Sequence, residues 1–338
     1  MKIQIAGVVL GTAVLVSLIM NPVQAQQPEA GKNPKQTGKS PVKVFILAGQ
    51  SNMEGQAVVD LEGKDYNDGR GTLATLMRDP IKGAMFKHLR NAAGKWIVRD
   101  DVWVRYQREN APLLAGALSF GFSVYGDAHH FGPELQFGHV MGDYLKNQVL
   151  IIKTAWGGKD LNVDFRPPSS GGQVGPYYTK MLKEIQAALA DLKKNFPAYD
   201  GGGYELAGFV WWHGWNDFCD PKNAVPAYEQ NLVNLINDLR KDLKTPKLPV
   251  VIGEFTGPWL KDSKDLPAAA VAIRKAQADA AARPEFKGSV LFVETRDFVR
   301  KAEDSPNSGH GHHEFGNAET YFLVGDALGK GMTRLLAK

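Results

Sequence analysis

An apolar run that stops at a glycine, two residues before a serine, constrains the fold of this chain more than any other feature. Residues 44–48 are continuously apolar, the pattern of a strand buried on both faces of a parallel sheet. Gly49 permits a sharp turn, so Ser51 lies just past the carboxyl end of that strand. Ligands bind at this edge of α/β sheets. Ser51 is therefore placed either to cap the next helix or to act as a nucleophile.

Four further apolar runs predict the rest of a sheet. They lie at residues 148–154, 206–212, 248–253 and 289–293, and segments of helical periodicity separate them, at 133–145, 181–192, 228–243 and 266–282, with another at 321–336. This alternation predicts βαβ units with right-handed crossovers and a mostly parallel five-stranded sheet between helices. We expect an α/β fold in one domain, residues 42–338. Residues 56–130 are interpreted as a loop-rich insertion over the site.

The first 25 residues have the pattern of a secretory signal. Lys2 precedes an apolar stretch at residues 5–20, and Val23-Gln24-Ala25 is a small-x-small cleavage site. The apolar stretch is short for a bilayer span of about 20 residues, which favours cleavage after Ala25 over an uncleaved anchor. Residues 26–41 are rich in Pro, Gly, Lys and Gln and predict a flexible lead-in. The expected location is secreted or periplasmic, without membrane attachment after cleavage.

Composition excludes some classes of protein. The net charge is +4, but Lys and Arg are scattered among Asp and Glu, so no tract of the kind that binds nucleic acid is present. Cys219 is the single cysteine; it excludes an internal disulfide and is expected to be a small buried residue. The oligomeric state is left open.

Four predicted strand-end segments carry polar residues that together suit nucleophilic catalysis. A serine nucleophile needs a base, and His312 or His313 can take that role. It also needs hydrogen-bond donors where the oxyanion forms, and these are available as the N–H groups of Ser51 and Gly158 and the side-chain amide of Asn216.

These segments resemble the four blocks of the SGNH hydrolases. The matching residues are Gly49-Gln50-Ser51-Asn52, Gly157-Gly158, Gly214-Trp215-Asn216-Asp217 and a C-terminal histidine. The opening Gly-Gln-Ser-Asn-Met and Asn317-Ala318-Glu319 are similar to the branch of sialate O-acetylesterases and acetylxylan esterases.

The resemblance implies a three-layer flavodoxin-like fold and hydrolysis of acetyl esters on carbohydrates, without a metal or other cofactor. It also implies roles for three residues: Ser51 would be the nucleophile, and Gly158 and Asn216 would form the oxyanion hole. His313, with His312 as the alternative, would be the base. The acetylated sugar is expected to contact Gln50, Asn52, Trp156, His213 and Trp215.

Two positions depart from the family pattern. The family places an aspartate three residues before the catalytic histidine, but here His310 precedes His313 and Gly309 precedes His312. Asp304, Glu314 or a backbone carbonyl is therefore the expected partner of the imidazole. His213 stands where relatives in this branch often carry glutamine, and it is expected to bond a loop backbone or to touch substrate.

Four other interpretations remain open. The cluster at residues 310–314 has ordinary zinc ligands but matches no established zinc spacing. Asp217 and Glu254 would make a glycosidase-like carboxylate pair, and Arg166 would contact an acidic sugar. A secreted carbohydrate-binding protein without activity is the alternative from another class, because fold alone does not establish catalysis.

Overall fold

A computed structural model describes residues 40–260 and 262–337. Its strands are β1 Val42–Gly49, β2 Ala57–Val58, β3 Arg99–Gln107, β4 Leu113–Leu118, β5 His130–Phe131, β6 Val149–Ala155, β7 Tyr204–Trp212, β8 Val250–Gly253 and β9 Val290–Val293. Its α-helices are α1 Ser51–Glu54, α2 Leu73–Arg78, α3 Glu134–Tyr144, α4 Pro176–Ala190, α5 Leu192–Asn195, α6 Trp215–Phe218, α7 Ala224–Asp242, α8 Ala268–Ala281 and α9 Ala318–Leu336.

The main sheet has seven strands in the order β4-β3-β6-β1-β7-β8-β9. All five predicted strands are present and pair in parallel. The prediction of a five-stranded sheet was nevertheless wrong, because two strands of the 56–130 segment extend one edge. β3 pairs in parallel with β6, and β4 closes that edge as an antiparallel neighbour of β3. That segment is therefore part of the main sheet as well as a cover over the site.

Alternation along β1 explains why helices pack on both faces of the sheet. Val44, Ile46 and Ala48 belong to one buried cluster, and Phe45 and Leu47 belong to the other, because successive side chains of a strand point to opposite faces. The first cluster contains the apolar faces of α4, α7 and α8, and the second contains those of α3 and α9. Both faces of the strand are therefore dry, which is why the strand is apolar throughout.

The register of the sheet brings the strand ends together. Gly49 at the end of β1 lies beside Ala155 of β6 and Trp212 of β7, and Trp212 lies beside Gly253 of β8. Because these strands are parallel, the loops that follow them meet at one edge.

The predicted signal at residues 1–25 and residues 26–39 of the predicted lead-in lie outside the described residues. Within the described ranges, no helix combines the length and the apolar character that crossing a membrane requires.

Candidate active site

An open cleft of about 490 Å³ lies at the edge where the parallel strands end. All five residues predicted to be catalytic line it: Ser51, Gly158, Asn216, His312 and His313. Glu54, Gln56, Val124, Tyr125, Gly157 and Trp215 complete the lining. The five predicted catalytic residues come from the segments after β1, β6 and β7 and from a 3-10 turn, Gly311–Gly316.

The turn after β1 places Ser51 at the first position of α1. Gly49 is required there, because a Cβ would lie 2.3 Å from the carbonyl oxygen of Trp212. The Glu54 N–H donates to the carbonyl of Gln50 at 2.9 Å and closes the single helical turn. The first N–H groups of a helix have no acceptor within it, so the Ser51 N–H is available to an oxyanion.

Gln50 is buried below the cleft and holds Asn216. Its side-chain Nε2 donates to Asn216 Oδ1 at 3.1 Å, and its Oε1 accepts from the N–H groups of Gly214 and Asn216 at 3.3 and 3.4 Å. Since Asn216 Oδ1 is engaged, its amide nitrogen is left to donate toward the cleft. The Gln50 side chain does not line the cleft; it lines a small pocket that shares Trp215 with the cleft, so its contact with substrate stays a prediction.

The segment after β7 holds the loop after β6. The buried His213 donates from Nε2 to the Lys159 carbonyl at 2.9 Å, and the Asp217 carboxylate accepts from the N–H groups of Leu161 and Asn162 at 2.9 and 3.2 Å. Burial lowers the pKa of His213 to about 4 and raises that of Asp217 to about 8. Of the two roles expected for His213, the structure has the backbone bond, and the ring is buried.

Glu54 is a site residue that the sequence analysis missed. Its carboxylate accepts from the Tyr106 hydroxyl at 2.7 Å and from the Gly157 N–H, and burial raises its pKa. Glu54, which lies in the same turn as Ser51, thereby holds Gly157, the residue before Gly158, in place. The signal in the sequence was a glutamate three residues after Ser51, in the turn that directly follows an apolar strand.

A buried ammonium group supports this arrangement from below. Lys153 Nζ donates to the Glu54 carbonyl at 2.8 Å, to the Phe122 carbonyl at 2.5 Å and to the Glu134 carboxylate at 2.8 Å. Both side chains of the Lys153–Glu134 pair are fully buried. Lys153 thus joins the serine turn, the 56–130 segment and the start of α3.

Asn52 anchors the histidine turn. Its Nδ2 donates to the His312 carbonyl at 3.2 Å and to Glu314 Oε1 at 3.3 Å, and its Oδ1 accepts from the Tyr321 hydroxyl at 2.7 Å. Asn52 is buried and does not line the cleft itself; its contact with substrate stays a prediction.

Both candidate bases are poised as neutral imidazoles. Burial, followed by the neighbouring His312 and His310, lowers the pKa of His313 to about 4. Burial and His310 lower the pKa of His312 as well. The ring centroids of His312 and His313 lie 4.1 Å apart. Since a neutral ring accepts a proton, either residue fits the role of general base at neutral pH.

Among the described residues, no carboxylate hydrogen-bonds either ring. Glu314 Oε1 accepts instead from the Thr256 hydroxyl, the Gly257 N–H and Asn52, and Asp304 contributes its backbone carbonyl to Asn317. Within the described part of the chain, the Ser51 hydroxyl also makes no direct hydrogen bond to an imidazole. Such catalytic hydrogen bonds are often long before substrate binds.

The two tryptophans predicted to bind sugar differ in exposure. Trp215 lines the cleft, stacks at 18° on Trp259 with the ring centroids 6.2 Å apart, and lies 5.8 Å from the His312 ring. Trp156 is fully buried and donates its indole N–H to the Gln107 carbonyl. The predicted sugar contact of Trp156 is therefore wrong, because the indole is part of the core.

The other interpretations are not supported by geometry. Glu254 is buried and accepts from the N–H groups of Thr295 and Arg296, and neither it nor Asp217 lines the cleft. Arg166 donates to loop carbonyls. In the described ranges no three His, Cys, Asp or Glu side chains are grouped to hold a metal ion. Cys219, predicted to be buried, is exposed.

Comparisons with known proteins identify the family of the chain. A probable carbohydrate esterase of Arabidopsis thaliana is 23% identical over 218 residues, covering 62% of this chain and 68% of the relative. The solved structure of an Arabidopsis thaliana protein bearing the same locus name covers 87% of this chain and 98% of its own, with 15% identity and a TM-score of 0.51. A carbohydrate acetylesterase of Xanthomonas citri is 14% identical and covers 86% of this chain and 56% of its own, with a TM-score of 0.49. The family model of carbohydrate esterases described as sialic acid-specific acetylesterases matches residues 41–320, and the chain belongs to that family.

Proposed function

We propose that this protein is a serine-dependent carbohydrate O-acetylesterase. The observation that carries the proposal is the convergence of Ser51, two neutral imidazoles and the donors of Gly158 and Asn216 on one cleft. Membership of a carbohydrate esterase family supports the acetylated sugar as substrate.

The arrangement supports a two-step acyl-enzyme reaction. Ser51 Oγ attacks the acetyl carbonyl while His313 or His312 takes its proton. The N–H groups of Ser51 and Gly158 and the amide of Asn216 stabilise the oxyanion. The C–O bond to the sugar breaks, and the imidazolium protonates the leaving hydroxyl. Water, deprotonated by the same imidazole, then attacks the acetyl-enzyme, and acetate leaves as Ser51 regains its proton.

Two further parts of the proposal concern the scaffold and the location. The order β6-β1-β7-β8-β9 within the sheet supports a flavodoxin-like topology, in which strands run 2-1-3-4-5. The N-terminal pattern of Lys2, an apolar stretch and a cleavage site at Ala25 supports export to the periplasm or the exterior.

The test is acetate release from p-nitrophenyl acetate and from an acetylated polysaccharide, with and without EDTA. We expect Ser51→Ala and one of His312→Ala and His313→Ala to lose activity by roughly 10⁴-fold or more, and EDTA to have no effect. Activity that survives Ser51→Ala but is lost with EDTA would refute the serine mechanism and favour the histidine cluster as a metal site.

A non-catalytic carbohydrate-binding protein is the second candidate. It is favoured by one observation, namely that no carboxylate among the described residues hydrogen-bonds His312 or His313. Wild-type protein that binds acetylated polysaccharide but releases no acetate from either substrate would establish this candidate.

A further inference from the structure

A second cleft, of about 260 Å³, opens beside the catalytic one. We name it the tyrosine cleft; its own lining is Asp65, Tyr66, His130, Asn307 and His310. It shares Gln56, Tyr125 and His313 with the catalytic cleft. A molecule seated with its ester at Ser51 can therefore extend past Tyr125 into the tyrosine cleft.

The walls of the tyrosine cleft are held in place before any ligand arrives. The Tyr125 hydroxyl donates to Gln56 Oε1 at 2.9 Å, and Gln56 Nε2 donates to the Ser51 carbonyl at 3.2 Å. The Tyr125 ring stacks on His130 at 3.9 Å between centroids. About half of Tyr125 (48%) stays exposed, so an aromatic surface is offered next to the nucleophile.

The opposite wall is fixed by a contact between distant segments. Asn67 Nδ2 donates to the carbonyls of Glu303 and Ser305 at 3.0 and 2.9 Å. This ties the turn that carries Asp65 and Tyr66 to the loop that leads to the histidines. Two tyrosines thus stand in a preorganised polar cleft, a surface that suits the apolar face and the hydroxyl rim of a sugar ring.

The charges of the two clefts discriminate between sugars. Among the described residues that line them, none is lysine or arginine, whereas Glu54 and Asp65 are carboxylates. Two cations close to the clefts are engaged elsewhere: Lys153 with Glu134, and Arg108 with the carbonyls of Val124 and Tyr125. Recognition of a sugar carboxylate calls for a cation, arginine above all, and the clefts offer none.

We propose that the tyrosine cleft is a subsite for an uncharged sugar residue next to the acetylated one. This inference rests on the proposed esterase function and narrows its substrate to neutral acetylated oligo- or polysaccharides, as opposed to acetylated sialic acid. Tyr66 and Tyr125 stack on the neighbouring ring, and Asp65 accepts hydrogen bonds from its hydroxyls while repelling an anionic sugar.

The first experiment compares kcat/KM for acetylated xylo-oligosaccharides, O-acetylated sialic acid and p-nitrophenyl acetate. We expect wild type to prefer the neutral chain over the sialate by about 10-fold or more, since each tenfold corresponds to about 1.4 kcal/mol. Tyr66→Ala should lower kcat/KM on the oligosaccharide by about 10-fold and leave p-nitrophenyl acetate unchanged. Asp65→Arg should raise the rate on the sialate relative to the neutral chain.

Tyr204→Ala is the matched control, because Tyr204 is as exposed as Tyr125 (48%) but lies at the opposite end of β7 from the cleft. A wild type that prefers the sialate, or a Tyr66→Ala variant that loses activity equally on oligosaccharide and p-nitrophenyl acetate, would overturn the inference.

A second readout separates this inference from the esterase proposal. Binding of deacetylated xylo-oligosaccharide to the Ser51→Ala protein, measured by calorimetry, needs no turnover. We expect binding that Tyr66→Ala weakens by about 10-fold and Tyr204→Ala leaves unchanged. Absent binding, or binding indifferent to Tyr66, refutes the subsite whether or not the esterase proposal holds.

Discussion

The two sides of the catalytic cleft are built by different means. The serine side, comprising the loops after β1, β6 and β7, follows directly from neighbouring parallel strands whose register is set by the sheet. The histidine side, the Gly311–Gly316 turn, follows no strand of the sheet; backbone bonds to the preceding loop hold it, together with side chains from elsewhere, including Asn52 and Tyr321. Two consecutive non-glycine residues of that turn, Glu314 and Phe315, have φ of +50° and +55°, a conformation such residues rarely adopt. The register of the sheet thus positions the nucleophile, and loop contacts position the base.

The largest effect expected from a residue outside the nucleophile–base pair is on the serine side. Asn216→Ala removes an oxyanion donor that the buried Gln50 holds in place, and we expect kcat to fall by about 10²–10³-fold. Steady-state kinetics with p-nitrophenyl acetate measure it. Asn223→Ala, an exposed asparagine just before α7, is the control and should keep wild-type kcat. A loss under tenfold in Asn216→Ala would remove Asn216 from the oxyanion hole.

The comparison between the two sides is tested by removing one anchor from each. Gln50→Ala removes the side chain that holds the Asn216 amide. We expect kcat to fall by about 100-fold, because a misplacement of about 1 Å can cause such a loss. Asn52→Ala leaves the Tyr321 hydroxyl bound to the His313 carbonyl, and we expect a loss of only about 10-fold.

Both variants should change kcat more than KM, because neither side chain lines the cleft. Their melting temperatures show whether the folded population is maintained. If Asn52→Ala costs as much activity as Gln50→Ala, the histidine side is not the more adaptable one, and the comparison fails.

The pH dependence of kcat/KM tests which histidine acts as the base. The base must be neutral, and the pKa of both candidates lies below the ordinary 6.5, at about 4 for His313. Activity should therefore persist as the pH falls below 6.5, with an acid limb near 4 if His313 is the base and below 6.5 if it is His312. An acid limb at or above pH 6.5 would contradict a lowered pKa for whichever of His312 and His313 is the base.

The last prediction concerns stability. Burial raises the pKa of Glu314 from 4.5 to about 8, so the folded state holds this proton more tightly than the unfolded state does. Its contribution to the free energy of unfolding is therefore lost as the pH rises from about 4.5 to about 8. Glu314→Gln cannot titrate. The melting temperature of the variant relative to wild type should rise between pH 5 and pH 8, and a difference that is constant with pH would show that Glu314 titrates normally.

The sequence predicted the serine side better than the histidine side. The five parallel strands and Ser51, Gly158 and Asn216 at their ends could be located, because apolar runs and strand-end glycines reflect local rules. The contacts of Gln50 and Asn52 could not be predicted, because the sequence does not distinguish a polar residue that faces substrate from one that bonds a distant loop. Their partners, Asn216 and His312, lie 166 and 260 residues away.

The two edge strands were not placed in the sheet for a related reason. β3 carries charged residues such as Arg99 and Arg105, which obscure the apolar pattern of a buried strand, and β4 is short and only partly buried. Arg105 is nevertheless buried, paired with Glu184 of α4, and Arg99 with Asp101 and Asp143. The prediction for Trp156 placed a core residue in the site. Trp156 follows a strand end, but it packs against Phe165 and Tyr177 and is buried in the core.

Lys153 limits how this esterase can be re-engineered. Its ammonium group has three acceptors, and one of them, the Phe122 carbonyl, is supplied by the segment that covers the site. A chimera that replaced this segment with one from a relative would have to return a carbonyl to the same point. Without it, a fully buried donor would be left one acceptor short, at a cost of about 1–3 kcal/mol or more for a charged group. Grafts that keep residues 119–123 are therefore the ones to try first when the specificity of this scaffold is to be exchanged.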